Sequence, residues 1–289
     1  MKALADRPRA ADPRPIKGPS AFGSDFRRFW RLTFVMAATD FKLKFFGSVL
    51  GYLWQLMRPL LLFGVLYGVF TQFLDVAGNG RYYPVALLFG IVLFQFFAEA
   101  TGGSVRSIMN RENLVRKIEF PRLAVPAATV LTAVFNLSLN LVSVAIFLLI
   151  SGGRPRLSWL ALPPLVALLA LFAFGLAMLL SALFVRYRDV EPIWDVALQV
   201  LFYGSPILYG LDRVKAKAGD GAARLIMCNP FASIMQESRH VFIDPSHLSA
   251  TVGLGSRVLL LVPLGIIAVV FALGLWVFVH EAPRVAEDL

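Results

Sequence analysis

The sequence predicts an all-α, polytopic membrane protein of six transmembrane helices, and three observations carry that expectation. Six apolar stretches run through its 289 residues, at about 49–74, 83–98, 123–150, 159–185, 192–211 and 258–279. A hydrocarbon core of ~30 Å takes about 20 apolar helical residues to cross, and most of the six reach that length. The composition agrees: 58% hydrophobic against 16% charged residues, with a mean hydropathy of +0.71, leaves little chain for a soluble catalytic domain. Third, the basic residues alternate between connecting segments. With residues 1–58 placed on one side, nineteen of the 28 Lys and Arg fall on that side and nine on the other, six of them in the long segment 212–257. The positive-inside rule then puts both termini in the cytoplasm, which an even number of spans satisfies. The net charge of +10 therefore reads as a topology signal, and nucleic acid is not an expected partner.

Residues 1–23, rich in Arg, Pro, Ala and Asp, lack the apolar core of a signal peptide and read as a disordered cytoplasmic tail. From Ser24, Phe26, Phe29, Trp30 and Phe34 recur at helical spacing, with Arg27, Arg28 and Arg31 on the other side. Such a basic amphipathic helix suits the headgroup region of the cytoplasmic leaflet. It serves there either as a plain anchor or as the rim of an entrance for a lipid-attached molecule. The first apolar stretch carries Arg58 and Pro59, so its span begins late or Arg58 snorkels to the interface. The second is short and ends at Glu99, which suits contact with protein or water better than lipid.

The loop from Glu99 to Arg122 alternates sign and polarity. Arg106, Arg111, Glu112, Arg116, Lys117 and Glu119 are interleaved with Ile108, Met109, Leu114, Val115 and Ile118. It is expected to form a short amphipathic helix ended by Phe120 and Pro121, a shape suited to docking a cytoplasmic partner. Arg186, Tyr187, Arg188 and Asp189 make a tight charged turn between spans four and five, after which Glu191, Asp195 and Gln199 share one helix face. Acids in a span are costly unless they meet water, a cation or a partner. An ion pair of Glu191 or Asp195 with Arg186 or Arg188 is expected at the cytoplasmic mouth, with a substrate contact as the alternative.

Gly204, Ser205 and Pro206 interrupt the fifth stretch, since proline removes a backbone donor and breaks or kinks a helix. Beyond Tyr209, Asn229, Pro230 and Phe231 introduce a moderately apolar run that stops at Asp244 and Pro245. It is too short to span and suits re-entry into the outer leaflet, where it would close a pore from outside; an ordinary extracytoplasmic loop is the alternative. The chain holds 25 Phe, and aromatic residues inside the spans, Tyr67, Phe94 and Tyr203 among them, either face lipid or line a conduit over which sugar rings slide.

The single cysteine, Cys228, excludes an internal disulfide and any cysteine-based metal cluster. The sequence contains no GxxxxGK[ST], HExxH or GxSxG, and its three histidines, His240, His247 and His280, are far apart. No catalytic or metal-binding residues are expected, and no cofactor in this chain.

Five segments in order carry a family likeness: Leu50-Gly51-Tyr52-Leu53-Trp54-Gln55-Leu56-Met57-Arg58-Pro59-Leu60, the Asn113 to Pro121 segment NLVRKIEFP, Arg186-Tyr187-Arg188-Asp189-Val190, Ser205-Pro206-Ile207-Leu208-Tyr209, and Asn229-Pro230-Phe231. Together they resemble the permease subunit of polysaccharide-exporting ABC transporters, the family that exports O-antigen, capsule and teichoic acid. The resemblance runs from about Phe26 to the C-terminus. It implies a homodimer of six-span subunits in the bacterial cytoplasmic membrane, joined to two copies of a separate ATPase that binds ATP and Mg. The conduit would carry an undecaprenyl-linked glycan. Residues 24–46 would be an interface helix and 47–289 the transmembrane domain. Arg106 to Lys117 would be the principal coupling helix, and Arg186, Arg188 and Asp189 a second contact. The segments after Pro206 would be short extracytoplasmic gate helices. Pore or gate positions would then include Tyr67, Phe94, Glu191, Asp195, Gln199, Tyr203, Ser205, Pro206, Tyr209, Asn229 and Phe231. A drug or small lipid is the alternative cargo. A membrane-embedded glycolipid-modifying enzyme would need an acid, base or metal constellation that the sequence lacks.

Overall fold

The computed structural model of the chain describes residues 26–45, 51–70, 82–111 and 121–281, and every regular element among them is helical. The expected tail 1–23, the expected docking residues Glu112, Arg116 and Lys117, and the segment 46–50 lie outside the described residues. The helices are α1 Phe26–Phe45, α2 Gly51–Gly68, α3 Tyr83–Val105, α4 Ala124–Ile150, α5 Leu162–Arg186, α6 Val190–Gly204, α7 Leu211–Met227, α8 Pro230–Phe242, α9 Ala250–Leu254 and α10 Leu261–Glu281.

Where the sequence predicts six spans, four helical segments among the described residues are long and apolar enough to cross a bilayer: Tyr83–Val105, Ala124–Ile150, Leu157–Arg186 and Val258–Glu281. The two that fall short have physical reasons. In α2, Arg58 and Pro59 sit in mid-helix. At 15 residues, α6 is only ~22 Å long at 1.5 Å per residue, and it carries Glu191 and Asp195.

At the centre stands α3, which packs against α2, α4, α5, α6 and α8. Of its apolar window 72% is buried, against 17% for the peripheral α10. This explains a sequence that is apolar on every side. The helix does not end at Glu99, as its sequence suggests, but continues to Val105. Glu99 is neutralised by Lys44 Nζ at 2.6 Å and accepts from Asn136 Nδ2 at 2.6 Å. Further on, the hydroxyls of Thr101 and Ser104 donate back to the Phe97 and Ala100 carbonyls, both at 2.7 Å. Polar residues along α3 are thus satisfied by neighbouring helices or by its own carbonyls rather than ending it.

Along α4 lies α1. Phe29, Thr33 and Ala37, one turn apart, are buried there, while Phe26, Trp30 and Phe34 of the same apolar face are 71%, 50% and 57% exposed. The aromatic face read from the sequence is therefore divided between protein and surroundings, and Arg27, Arg28 and Arg31 are exposed. Phe34 and Phe41 both meet the edge of Phe135 on α4, at 6.0 and 5.8 Å between centroids.

Helices α5 and α10 make the closest crossing. A Cβ on Gly274 would lie 2.1 Å from the Gly175 carbonyl oxygen, and one on Gly175 would lie 2.9 Å from Phe271 Cα. Small residues let membrane helices approach backbone to backbone. Gly274→Leu is expected to force the pair apart and cost about 1–3 kcal/mol, the range of core overpacking. Gly265→Leu, on the same helix but with nothing within 4 Å of its Cβ, is the control. Melting of the two purified variants should differ, and equal melting would remove the crossing from the fold's stability.

Candidate functional site

The site is built around the break after α6. Ser205 leaves the helix with extended backbone, φ −94° and ψ 150°, and Ser205, Pro206, Ile207 and Leu208 are all buried. A buried non-helical segment must find partners for its freed carbonyls. Arg239, from α8, supplies most of them. Its Nη1 donates to the Pro206 carbonyl at 2.5 Å and its Nη2 to the Ile207 carbonyl at 2.9 Å. Nε and Nη2 also reach the Ala86 carbonyl in the first turn of α3, at 3.2 and 2.9 Å. The approach requires Gly90, one turn along α3, because a Cβ there would lie 2.6 Å from Arg239 Nη2. Two more bonds complete the clamp: Tyr83 donates to the Leu208 carbonyl at 2.9 Å, and Asn229 Nδ2 to Ser205 Oγ at 3.4 Å. Burial lowers the Arg239 guanidinium to about 10, so it stays charged at neutral pH and meets carbonyl dipoles instead of a carboxylate.

Asn229 has a second task. Its Oδ1 accepts from Phe231 N at 3.0 Å and caps α8, whose first residue is Pro230. Phe231 is fully buried and meets Phe94 and Phe97, at 5.7 and 5.4 Å, while Phe94 meets Phe202 at 4.9 Å. Two of the residues expected to line a path, Phe94 and Phe231, thus join an aromatic cluster that holds the broken segment to α3. Tyr67 stacks on Phe63, and Tyr209 donates to the Tyr203 carbonyl at 3.3 Å.

The helix before the break has two unlike faces. Trp194, Leu198, Leu201 and Phe202 pack inward, and Trp194 Nε1 donates to Thr101 Oγ1 on α3 at 3.1 Å. Asp195, Gln199 and Tyr203 are exposed together with Ile193, Val196 and Val200. Glu191, which begins this face in the sequence, does not pair with Arg186 or Arg188. Its partner is Arg106, with Nε and Nη2 at 2.6 and 2.5 Å from Oε2. The reason is placement: Arg106 ends α3 beside the start of α6, whereas Arg186, Arg188 and Asp189 are exposed on the turn and Arg186 lies over the Tyr187 ring at 5.4 Å.

The segment expected to dock a partner also differs at its start. After α3 the chain makes a turn at 106–108 and a 3-10 turn at Met109–Arg111 rather than an α-helix from Arg106. Ser107 fixes that turn, since its amide and hydroxyl both donate to the Ser104 carbonyl. Arg111 pairs with Asp40 of α1. The two arginines therefore tie the end of α3 to two other helices, Arg106 to α6 and Arg111 to α1. Sequence proximity does not link these partners, nor does it single out Arg239, whose signal is a lone cation inside a moderately apolar run.

A cavity of about 220 Å³ lies beside the break, lined by Tyr83, Tyr209, Asp212, Gln236, Arg239 and His247 among others. His240 Nδ1 donates to the His247 carbonyl at 2.7 Å. Burial first, then the Arg239 charge, pushes the His247 imidazole from 6.5 down to about 4, against the opposing pull of Asp244 and Asp212. An unfolded chain binds this proton near 6.5 and the folded one near 4, so the stability is whole above that window and declines as pH falls through it. With the ring only partly buried, a loss of ~2 kcal/mol is expected. His247→Gln should flatten the melting temperature between pH 6.5 and 4; an unchanged slope would assign it elsewhere. Among the described residues no three of His, Cys, Asp and Glu come together as a metal site.

This arrangement holds a buried break between packed helices, and the comparisons with known proteins give its family. The profile of the family described as ABC-2 type transporter matches residues 31–243, from α1 through the Arg239 clamp. The chain is 30% identical over 214 residues to the O-antigen export system permease protein RfbA of Klebsiella pneumoniae, covering 74% of this chain and 80% of that protein. It is 28% identical to the RfbA of Myxococcus xanthus over 71% of this chain and 77% of that one. The polysialic acid transport protein KpsM of Escherichia coli is 22% identical over 71% and 78%.

Proposed function

The chain belongs to the ABC-2 type transporter family, and from that premise we propose that it is the conduit-forming half of an ATP-driven exporter of lipid-linked polysaccharide. It is a membrane permease related to permeases of polysaccharide export. In the proposed assembly two copies of it, in the bacterial cytoplasmic membrane, join two copies of a separate ATPase that binds ATP and Mg. The cargo is a glycan on an undecaprenyl-type carrier. Residues 24–46 form the interface helix, 47–289 the transmembrane domain, and both termini are cytoplasmic. Helices α2 and α6 complete six spans, and α7, α8 and α9 are the extracytoplasmic gate.

The observation that carries this reading is the open face of α6. Asp195, Gln199 and Tyr203 lie exposed on a helix whose other face is packed on the central α3. Acid, amide and phenol at membrane depth need water or a polar partner, and a second copy across an aqueous path supplies both. ATP binding closes the ATPases, and the ties from Arg106 to α6 and from Arg111 to α1 carry that motion into the path. Such a change requires the two states to bind nucleotide unequally.

Deleting the gene tests the cargo. Cells without the chain should accumulate lipid-linked glycan on the inner face of the membrane and lose it from the surface. Unchanged surface glycan, with reduced efflux of an apolar compound, would favour a drug or small lipid instead.

A further inference from the structure

A second cavity, of about 290 Å³, lies between α1, α2, α3 and α4, away from the break and the open face of α6. It is at membrane depth. Gln95 and Glu99 line it from positions ten and six residues before the end of α3, which puts them ~15 and ~9 Å inside the bundle. Two cations, Lys44 and Arg58, reach it, against one carboxylate, Glu99. Lys44 is spent on Glu99 at 2.6 Å. Arg58, exposed in the single chain but lining the cavity, makes no ion pair among the described residues, so one positive charge at the cavity is uncompensated. A charge at this depth calls for a counter-ion.

The amides add a second requirement. Asn136 and Asn140, one turn apart on α4, are 1% and 5% exposed, yet the Oδ1 of each accepts no hydrogen bond. Buried acceptors are seldom left unmade. The cavity's occupant must therefore bring negative charge for Arg58 and hydrogen-bond donors for the two asparagines. Val92, Phe96 and Leu137 give it an apolar wall. The volume equals about ten waters at ~30 Å³ each, room for a phosphate with a short polyol or one sugar ring, and not for a glycan chain.

We infer that this cavity seats the phosphate of a membrane lipid whose headgroup carries hydroxyls beside it. Arg58 pairs with the phosphate, Gln55 and Gln95 donate to its oxygens, and the hydroxyls donate to Asn136 and Asn140. Two lipids share that chemistry, a phosphatidylglycerol of the bilayer and a phosphate-linked sugar on a carrier lipid. The inference stands whichever cargo the conduit carries.

The test uses the full chain with its ATPase in nanodiscs of phosphatidylcholine, which has no headgroup donor. Fluorescent phosphatidylglycerol and a short-chain lipid diphosphate bearing one sugar are titrated separately, and bound lipid is counted by native mass spectrometry. Saturable binding of either probe at one per subunit is expected, weakened at least tenfold by Arg58→Gln and several-fold by Asn140→Leu. The tighter probe identifies the source. Lys217→Gln, an equal loss of charge on the exposed side of α7, should leave binding intact, and Arg58→Lys should keep part of it. Absence of saturable binding for both probes, or equal affinity in wild type and Asn140→Leu, would leave the cavity to water and overturn the inference.

Discussion

Arg239→Met is expected to lower the stability of the purified protein by about 3–5 kcal/mol, the cost of removing one member of a buried charged network. Methionine roughly fills the volume but brings no donor. The carbonyls of Ala86, Pro206 and Ile207, which together take four bonds from the guanidinium, lose those bonds in a water-poor interior, and a buried group left unmade costs ~1–3 kcal/mol. Melting should fall, and protease should cut between 206 and 210, where the wild type resists. Arg239→Lys should recover part of the loss, because one ammonium cannot span three carbonyls. Gly90→Ala attacks the same clamp from α3, since its Cβ would lie 2.6 Å from Nη2. In the Arg239→Met background Gly90→Ala should cost little, which is the non-additivity expected of two residues in one network. Additive losses would mean that Gly90 and Arg239 act separately.

Replacing Arg111, Glu112 and Arg116 together by Ala is expected to cut export at least tenfold while the subunit still inserts and ATP hydrolysis continues, about 1.4 kcal/mol or more of lost coupling on the tenfold scale. Arg111 is the first residue of this group and is held by Asp40 of α1. Asp40→Asn alone should therefore produce a milder version of the same defect. Arg106→Ala releases Glu191 and with it the tie from α3 to α6. A physical claim of coupling needs an element that both sites bias. The expected signature is hydrolysis that no longer responds to cargo. Normal export in the triple variant would remove the docking role from this segment.

The spans α4, α5 and α10 are legible because each is a long, mostly apolar run, a property of neighbouring residues alone. The length of α3 is not legible locally because Glu99 looks like a terminus; its partner Lys44 is 55 residues away. Sequence proximity points Glu191 to Arg186 or Arg188, yet it pairs with Arg106 across 85 residues. The break at Gly204 to Pro206 followed from proline chemistry, whereas its clamp joins Arg239 to Ala86 across 153 residues. The amphipathic character of α1 was readable, but which half of its apolar face is covered depends on where α4 lies. Local periodicity reports what a segment needs to bury. It does not report which distant segment meets that need, and the site consists mostly of such distant meetings.

The most direct measurement is ATP hydrolysis by the purified chain and its partner ATPase in lipid vesicles, with and without lipid-linked glycan. Hydrolysis should rise several-fold on adding the glycan-bearing carrier, stay flat with the carrier lipid's apolar tail alone, and lose its response in the Arg111, Glu112 and Arg116 variant. Equal hydrolysis with and without lipid-linked glycan, together with stimulation by a small apolar compound, would contradict polysaccharide export as the function of this permease.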